Sequence, residues 1–448
     1  MQYLPNILFL LALLAGIGFF TFNIRKLVRN IRLGRAVDRS DRKGERWKNM
    51  AYIALGQTKM VKRPVAGLLH VIVYVGFIII NIEVLEIIID GLFGTHRIFA
   101  GLGPVYDVLI ASFEILALLV FVAVVIFWLR RNAIRIARFI KHPEMKGWPK
   151  LDANLILYFE MVLMGLFLLM NAADYELQLR GAEHYAQEAG IAGSFPVSQY
   201  LLPLFENVET ASLIVVERSA WWLHILGILV FLNYLYYSKH LHILLAFPNT
   251  YYENLDLQGK FNNLQSVTDE VKLMLDPNAD PFAAPTEGET DEMPEKFGAS
   301  DATDLNWVQL LNAYTCTECG RCTSECPANQ TGKKLSPRKI MMDTRDRMEE
   351  IGKNIDANKG TFVPDEKQLL GDYITKEELW ACTTCNACVE ACPVGINPLS
   401  IIIDMRRYLV MEDSAAPSDL NNAMTNIENN GAPWPFNQMD RANWVNEA

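Results

Sequence analysis

The sequence predicts an all-α protein: a five-span transmembrane helical bundle followed by an all-α domain built around two cysteine runs. Three observations carry this reading. Five apolar segments are long enough to cross a bilayer core, which takes about 20 residues. Capping signals and helical spacing, with no strand-like alternation, organise the part that follows them. All eight cysteines fall between Cys316 and Cys392 of a 448-residue chain. An apolar share of 51 % is high for a chain with 21 % charged residues, and two unlike halves account for it. The apolar runs lie before about residue 245 and most of the acid lies after it. The net charge of −10 comes with no basic patch interleaved with aromatics in the second half, so no nucleic-acid partner is expected.

The spans are expected at Leu4–Ile24, Val65–Ile89, Val105–Leu129, Leu155–Ala172 and Ala220–Tyr237, the last two being the shortest. The first opens Met1-Gln2-Tyr3-Leu4-Pro5 with no Lys or Arg and no small-residue cleavage site, so it reads as a retained span and not a signal peptide. Lys and Arg flanking spans stay on the cytoplasmic side. Thirteen of them lie between Arg25 and Arg63, after the first span, and seven between Arg130 and Lys150, after the third. The connection after the fourth has Arg180 and then Glu183, Glu188, Glu206 and Glu209. The expectation is a multi-pass protein of the cell inner membrane, N-terminus outside and cysteine domain cytoplasmic. Its parts divide as residues 1–248, the bundle; 249–303, an acidic linker; 304–411, the cysteine domain; and 412–448, an extended tail.

An imidazole within the membrane is costly without a partner and marks function. His70 lies seven residues past Arg63, in the inner half of the second span, and His242 near the inner end of the fifth. The two spans run antiparallel, so both side chains can approach one haem iron, and bis-His ligation of a haem b is expected, with His240 as the alternative to His242. His224, placed near the outer end of the fifth span, is 18 residues before His242. That is five helical turns, or about 27 Å, on one face. A second haem there needs a partner about ten residues beyond His70, where Ile80-Asn81 stands. His224 is therefore left between a second haem with a distant ligand such as His184, a hydrogen-bond donor at a quinone site, and a structural histidine. Glu83, Glu86, Asp90, Glu114 and Glu160 lie in or near the spans. Such carboxylates mark proton routes, and Glu83 is the preferred acid–base group for a quinone, although Glu86 and Asp90 also suit the wet end of a helix.

The cysteine runs read Cys316-Thr-Glu-Cys319-Gly-Arg-Cys322-Thr-Ser-Glu-Cys326-Pro327 and Cys382-Thr-Thr-Cys385-Asn-Ala-Cys388-Val-Glu-Ala-Cys392-Pro393. Each is C-x2-C-x2-C-x3-C-P, the spacing of bacterial two-cluster ferredoxins, in which the fourth cysteine reaches the other cluster. The expected ligand sets are Cys316, Cys319, Cys322 with Cys392, and Cys382, Cys385, Cys388 with Cys326, each holding a [4Fe-4S] cluster. Structural zinc would want separated pairs. The 55 residues between the runs read as helix: Ser336-Pro337 opens one through Met348, and Thr375-x-x-Glu378 is a capping box. Ile401–Met411 has helical spacing.

Through Gly67-Leu-Leu-His70 and the His224, His242 pair, the membrane half resembles the five-span cytochrome b subunit of respiratory nitrate reductase, where four histidines hold two haems; three of those positions are matched here. Through both cysteine runs, Gly332-Lys333, Ser336-Pro337 and Asp404-Met405-Arg406-Arg407, the second half resembles the iron–sulfur subunit of heterodisulfide reductases. The fusion is similar to membrane proteins proposed to link electron-transferring flavoprotein or thiol–disulfide chemistry to menaquinone. Those often continue into CCG domains, whereas this sequence stops at Ala448. The resemblance implies an electron-transfer subunit of a quinone-dependent oxidoreductase, using menaquinone or ubiquinone, with a separate cytoplasmic CCG-domain or flavoprotein subunit. The alternatives are a membrane anchor for a terminal reductase of the nitrate or fumarate type, and a membrane redox sensor.

Overall fold

Four of the five long helices begin with a proline in their first two positions, where its missing N–H has no intrahelical partner to lose. They are α1 (Leu4–Arg32), α2 (Pro64–Phe93), α3 (Pro104–Asn132), α4 (Trp148–Leu179) and α5 (Thr210–Tyr234), the last prolonged by a 3-10 turn to Tyr237. The computed structural model describes residues 3–182, 184–186, 190–277 and 296–447; Glu183 and Glu188 lie outside them. Among the described residues there is no strand, only the isolated bridges Arg35–Asn306 and Leu370–Ile374. The all-α fold and its five candidate membrane helices are as predicted.

The helices pack in ring order, each on its neighbour in sequence and α5 on α1. Close approach relies on small residues, as membrane helix packing does. A Cβ on Gly76 would come within 2.5 Å of Val120 on α3, and one on Gly227 within 2.9 Å of Leu163 on α4. Outward side chains such as Leu11, Leu14, Phe77, Val122 and Val230 are apolar and exposed, as a lipid-facing surface requires.

The structure corrects the two spans expected to be shortest. α4 is 32 residues long, and α5 begins at Thr210 instead of Ala220, because polar residues flanking the apolar windows continue the helix. His224 is therefore in the middle of its span and not near the end. The five-turn argument also fails. Ser238 is extended (φ −117°, ψ 146°) and its side chain accepts from the His240 N–H, which ends α5; the chain restarts at His242 in α6 (His242–Tyr251). His224 and His242 do not share a helix.

In the second half the elements that position the cysteines are α7 (Trp307–Thr315), α8 (Arg321–Glu325), α9 (Pro337–Ala357), α10 (Lys376–Trp380), α11 (Ala387–Ala391) and α12 (Pro398–Met411). The Ser336 side chain caps α9 by accepting from the Lys339 N–H, and α9 runs on to Ala357, past the expected Met348. Thr375 and Glu378 form the expected capping box. Residues 278–295 of the expected linker lie outside the described ones. Its flanks are ordered: a helix covers Gln265–Leu275, and Ala299 and Ala302 are buried. The tail is not extended. It holds α13 (Ser418–Asn430) and a 3-10 turn, Gln438–Val445, because no proline or glycine interrupts the run from Ser418 until Gly431.

One apolar cluster runs without a break from the ends of the bundle (Leu27, Ile31, Ile156, Leu235) into the cysteine domain (Leu310, Ile340, Ile401). The basic connections grip the same domain. Asn30 donates to the Tyr314 hydroxyl (3.1 Å), Arg63 pairs with Glu325 (2.7 Å), and Lys26 and Arg29 both pair with Asp356. The Lys and Arg that sequence reasoning assigned to topology thus also bind the domain beside them.

Arg347, 1 % exposed, joins three segments by donating to Asp301, Asp365 and the Lys367 carbonyl. Removing one partner of a buried ion pair costs about 3–5 kcal/mol. Both aspartates are partly exposed, so Arg347→Met is expected to cost about 3 kcal/mol, at the low end. Thermal bleaching of the iron–sulfur absorbance checks it; an unchanged midpoint would refute the structural role.

Candidate redox centres

The two cysteine runs repeat one backbone geometry. Glu318 and Thr384, each before a second cysteine, are left-handed (φ 53° and 56°), as are Gly320 and Asn386 after it (φ 70° and 61°). Cys326 and Cys392 are both extended (φ −74°, ψ 117° and φ −73°, ψ 124°), each followed by a proline. A left-handed residue favours Gly or Asn. Gly320 has a second reason, since a Cβ there would stand 2.5 Å from the Arg338 guanidinium. These turns fold each run back on itself and aim its thiols inward.

The thiols gather into two groups that mix the runs. A cavity is lined by Cys316, Cys319, Cys322 and Cys392, and also by Cys388. Cys392 is an electrostatic neighbour of Cys319 and Cys316, while Cys388 has Cys382, Cys326 and Cys385 around it. Among the described residues no three His, Cys, Asp or Glu side chains are grouped closely enough to hold a single metal ion. Burial pushes the Cys316 thiol up to about 11 and those of Cys388 and Cys392 to about 12. Each must therefore give up a proton when it binds iron. The second group is nearer solvent, with Cys385 exposed.

The first group lies against the bundle. Beside it, Arg321 donates to the Lys59 and Met60 carbonyls (3.0 and 3.1 Å) and Arg338 to the Arg138 carbonyl (2.8 Å). Glu318 is held between Lys239 and Arg345; burial alone would raise its carboxyl, but these two cations bring it below the ordinary range. None of these partners was singled out from sequence, although the charged residues inside the first run, Glu318 and Arg321, were the available signal.

The rings of His70 and His242 lie with centroids 6.4 Å apart, tilted by 42°. His242 Nδ1 is 3.1 Å from the Lys239 carbonyl, which leaves its Nε2 free, and His70 Nδ1 is buried without a partner. His240 instead packs on Phe231 and lies 3.9 Å from Glu160. His224 is fully buried, its Nδ1 3.1 Å from the Leu163 carbonyl and its ring against Phe167; among the described residues no histidine ring contacts it. His184 pairs instead with His96 (5.6 Å) at the far end.

At that far end the helices enclose a cavity of about 470 Å³ lined by Glu83, His96, Arg97, Asp174, Trp221 and Trp222, among others. Arg97 is buried and donates to Asp174 (2.6 Å), Asn171 (3.0 Å) and the Tyr106 hydroxyl (3.0 Å); Tyr106 in turn donates to Glu86 (2.9 Å). Asp90 accepts from Thr95 and the Arg97 N–H, and Glu114 from the Val197 and Ser198 N–H groups, so both fasten loops. Glu83 differs. It is 3 % exposed, and its Oε2 is the one buried carboxylate oxygen without a partner among the described residues. His224 does not line this cavity, so Glu83 and His224 are not brought into one site.

Fold and site together define a class, an all-α membrane protein carrying a 4Fe-4S dicluster domain: that domain family matches residues 315–396. The chain is 31 % identical, over 99 % of its own length and 61 % of the relative's, to the probable iron-sulfur-binding oxidoreductase FadF of Bacillus subtilis. It is 25 % identical, over 92 % and 55 %, to the EtfAB:quinone oxidoreductase of Syntrophomonas wolfei. Over 34 % of the chain and 37 % of the relative it is 30 % identical to a component of the dihydromethanophenazine:CoB–CoM heterodisulfide reductase of Methanosarcina mazei. The chain thus spans little more than half the length of the first two. No solved structure matches it.

Proposed function

We propose that this chain is the membrane subunit of a quinone-linked oxidoreductase, passing electrons between a cytoplasmic flavoprotein or CCG-type partner and the quinone pool. The observation that carries the reading is the His70–His242 ring pair, 6.4 Å apart, which shares the Arg321 cation as an electrostatic neighbour with Cys319 and Cys392 of the first thiol group. Two metal–nitrogen bonds of about 2 Å each, plus roughly 1 Å from nitrogen to ring centre on either side, mean that two imidazoles sharing one metal would have ring centres about 6 Å apart. The 6.4 Å separation suits one shared iron. When bound, two [4Fe-4S] clusters and a haem b supply one-electron carriers; the chain's part is to hold, orient and tune them.

Cys316, Cys319, Cys322 and Cys392 would hold the bundle-facing cluster, and Cys382, Cys385, Cys388 and Cys326 the solvent-facing one. The Lys239 carbonyl keeps the proton on His242 Nδ1 and so presents Nε2 to metal. In this reading the cysteine domain is cytoplasmic, and the far-end cavity opens to the outer half of the inner membrane. Its volume suits a quinone headgroup, since ligands of that size bind in pockets of about 300–1,000 Å³. Quinone reduction takes up protons with electrons, and the free Glu83 Oε2 is the group placed to deliver one. Glu83 is 13 residues beyond His70 on α2, roughly 20 Å along the axis.

The reading predicts a reduced b-type haem spectrum, near one haem per chain, and about eight non-haem iron atoms from two four-iron clusters. A ratio near two would bring His224 in as a ligand. Iron without haem would sink the proposal. Glu83→Gln is expected to slow reduction of a soluble quinone analogue about 10²-fold with both metal spectra intact. Unaltered turnover would remove Glu83 from the proton route.

A further inference from the structure

The charges around the two thiol groups are unequal. Arg321 is 4 % exposed; its guanidinium bonds two carbonyls and the Met60 sulfur, and no carboxylate pairs with it among the described residues. Its electrostatic neighbours include Cys319, Cys392 and His70. Arg138 acts on Cys319 as well; among the described residues it donates to no carboxylate, and its Nε is buried without a partner. Two further cations, Arg338 and Arg345, adjoin the same group but are neutralised by Glu144 and Glu318. In the Cys326, Cys382, Cys385, Cys388 group, the cation beside Cys382 among the described residues is Arg406, which bonds the Leu379 and Cys382 carbonyls and lies over Trp380. It is also the group with an exposed cysteine.

We propose that Arg321, supported by Arg138, raises the reduction potential of the Cys316, Cys319, Cys322, Cys392 site above that of the Cys385 site, so that electrons arriving from the soluble side collect next to the membrane. The inference rests on the ligand sets proposed above. The physical cause is that reduction adds one negative charge, and a fixed cation in a dry site stabilises the more negative state. Burial works in the opposite sense, because low dielectric disfavours the added charge, and this is where unpaired cations decide the outcome. In the transfer itself one electron leaves the Cys385 site, which is oxidised by one unit, and enters the Cys319 site, which is reduced by one. No proton is required. A reduced flavin or dithiol on the partner supplies the electron, and a quinone finally accepts it. Arg321 is a positioning residue in this scheme, since it reaches the ligands and not the substrate.

The test is an EPR-monitored redox titration of the intact, detergent-solubilised protein. The unaltered chain should show two four-iron signals with separate midpoints, the higher belonging to the signal that broadens through coupling to the haem. Arg321→Gln should lower that midpoint alone, making the internal transfer about tenfold less favourable, or 59 mV for one electron. Arg321→Lys keeps the charge while losing the guanidinium hydrogen bonds, and should restore most of the difference; Arg138→Gln should shift the same signal in the same direction. Equal shifts in Gln and Lys variants would mean a packing role and overturn the proposal, as would a shift in the other signal or none. Absence of two four-iron signals from the unaltered protein would instead strike at the functional reading beneath it.

Discussion

Separate His70→Ala and His242→Ala variants are expected to purify with their iron–sulfur absorbance intact, with no reduced b-type haem bands, and with quinone-linked turnover lowered more than about 10²-fold. The size of the effect follows from geometry. The two rings sit 6.4 Å apart, so in the proposed reading losing either would leave one histidine of the pair to hold the haem. His240 is the one nearby substitute, 5.4 Å from His242, but it stands nearly edge-on to it and turned toward Glu160 and Phe231. A structural role for either ring would give a different signature, with haem retained and thermal stability lowered. The iron–sulfur spectrum serves as the internal control, because the thiol groups lie on other elements and fold around their own turns. If both variants kept the haem bands, the ligand assignment would fall, and His224 would become the residue to test next.

The features that sequence made visible are those written in local spacing. The C-x2-C-x2-C-x3-C-P runs, the Ser336 and Thr375 caps and the apolar windows depend on neighbours along the chain, and the structure has each of them. His70 and His242 were reached through depth in the membrane, which a charge count can approximate. Their pairing does not depend on the mistaken premise that His242 continues the helix of His224. Ser238 breaks that helix, and nothing in its own identity marks it as a stop, because serine is common inside helices. The far-end network was missed for another reason. The 2.7 Å contact of Asp174 with His96 joins residues 78 apart in sequence. Long-range pairing of this kind leaves no trace in one sequence. Arg138, beside the first thiol group, reads in the sequence as a topology signal, since as a flanking charge it looks the same whether it faces lipid headgroups or a thiolate.

Paired cysteine substitutions are expected to give an all-or-half result. Cys316→Ala with Cys392→Ala should leave about four non-haem iron atoms per chain, whereas Cys316→Ala with Cys326→Ala should leave close to none. A simpler arrangement, in which each run holds its own cluster, predicts the reverse: the first pair would empty both sites and the second would empty one. The crossed pattern follows from the cavity that Cys392 shares with the first three cysteines, and from Cys326 standing with Cys382, Cys385 and Cys388. It has a mechanical consequence too. Each cluster would tie the start of one run to the end of the other, so that α8 and α11, which pack together, are clasped at both ends. Metal binding is then part of the domain's folding free energy, and the doubly emptied variant should lose the domain's cooperative melt while the b-haem spectrum, held on the bundle side by His70 and His242, persists. Iron analysis and the haem spectrum taken from one preparation decide between the two arrangements. Loss of haem in every variant would show that the bundle cannot assemble without the cysteine domain, which the single apolar cluster running through both makes the main competing outcome.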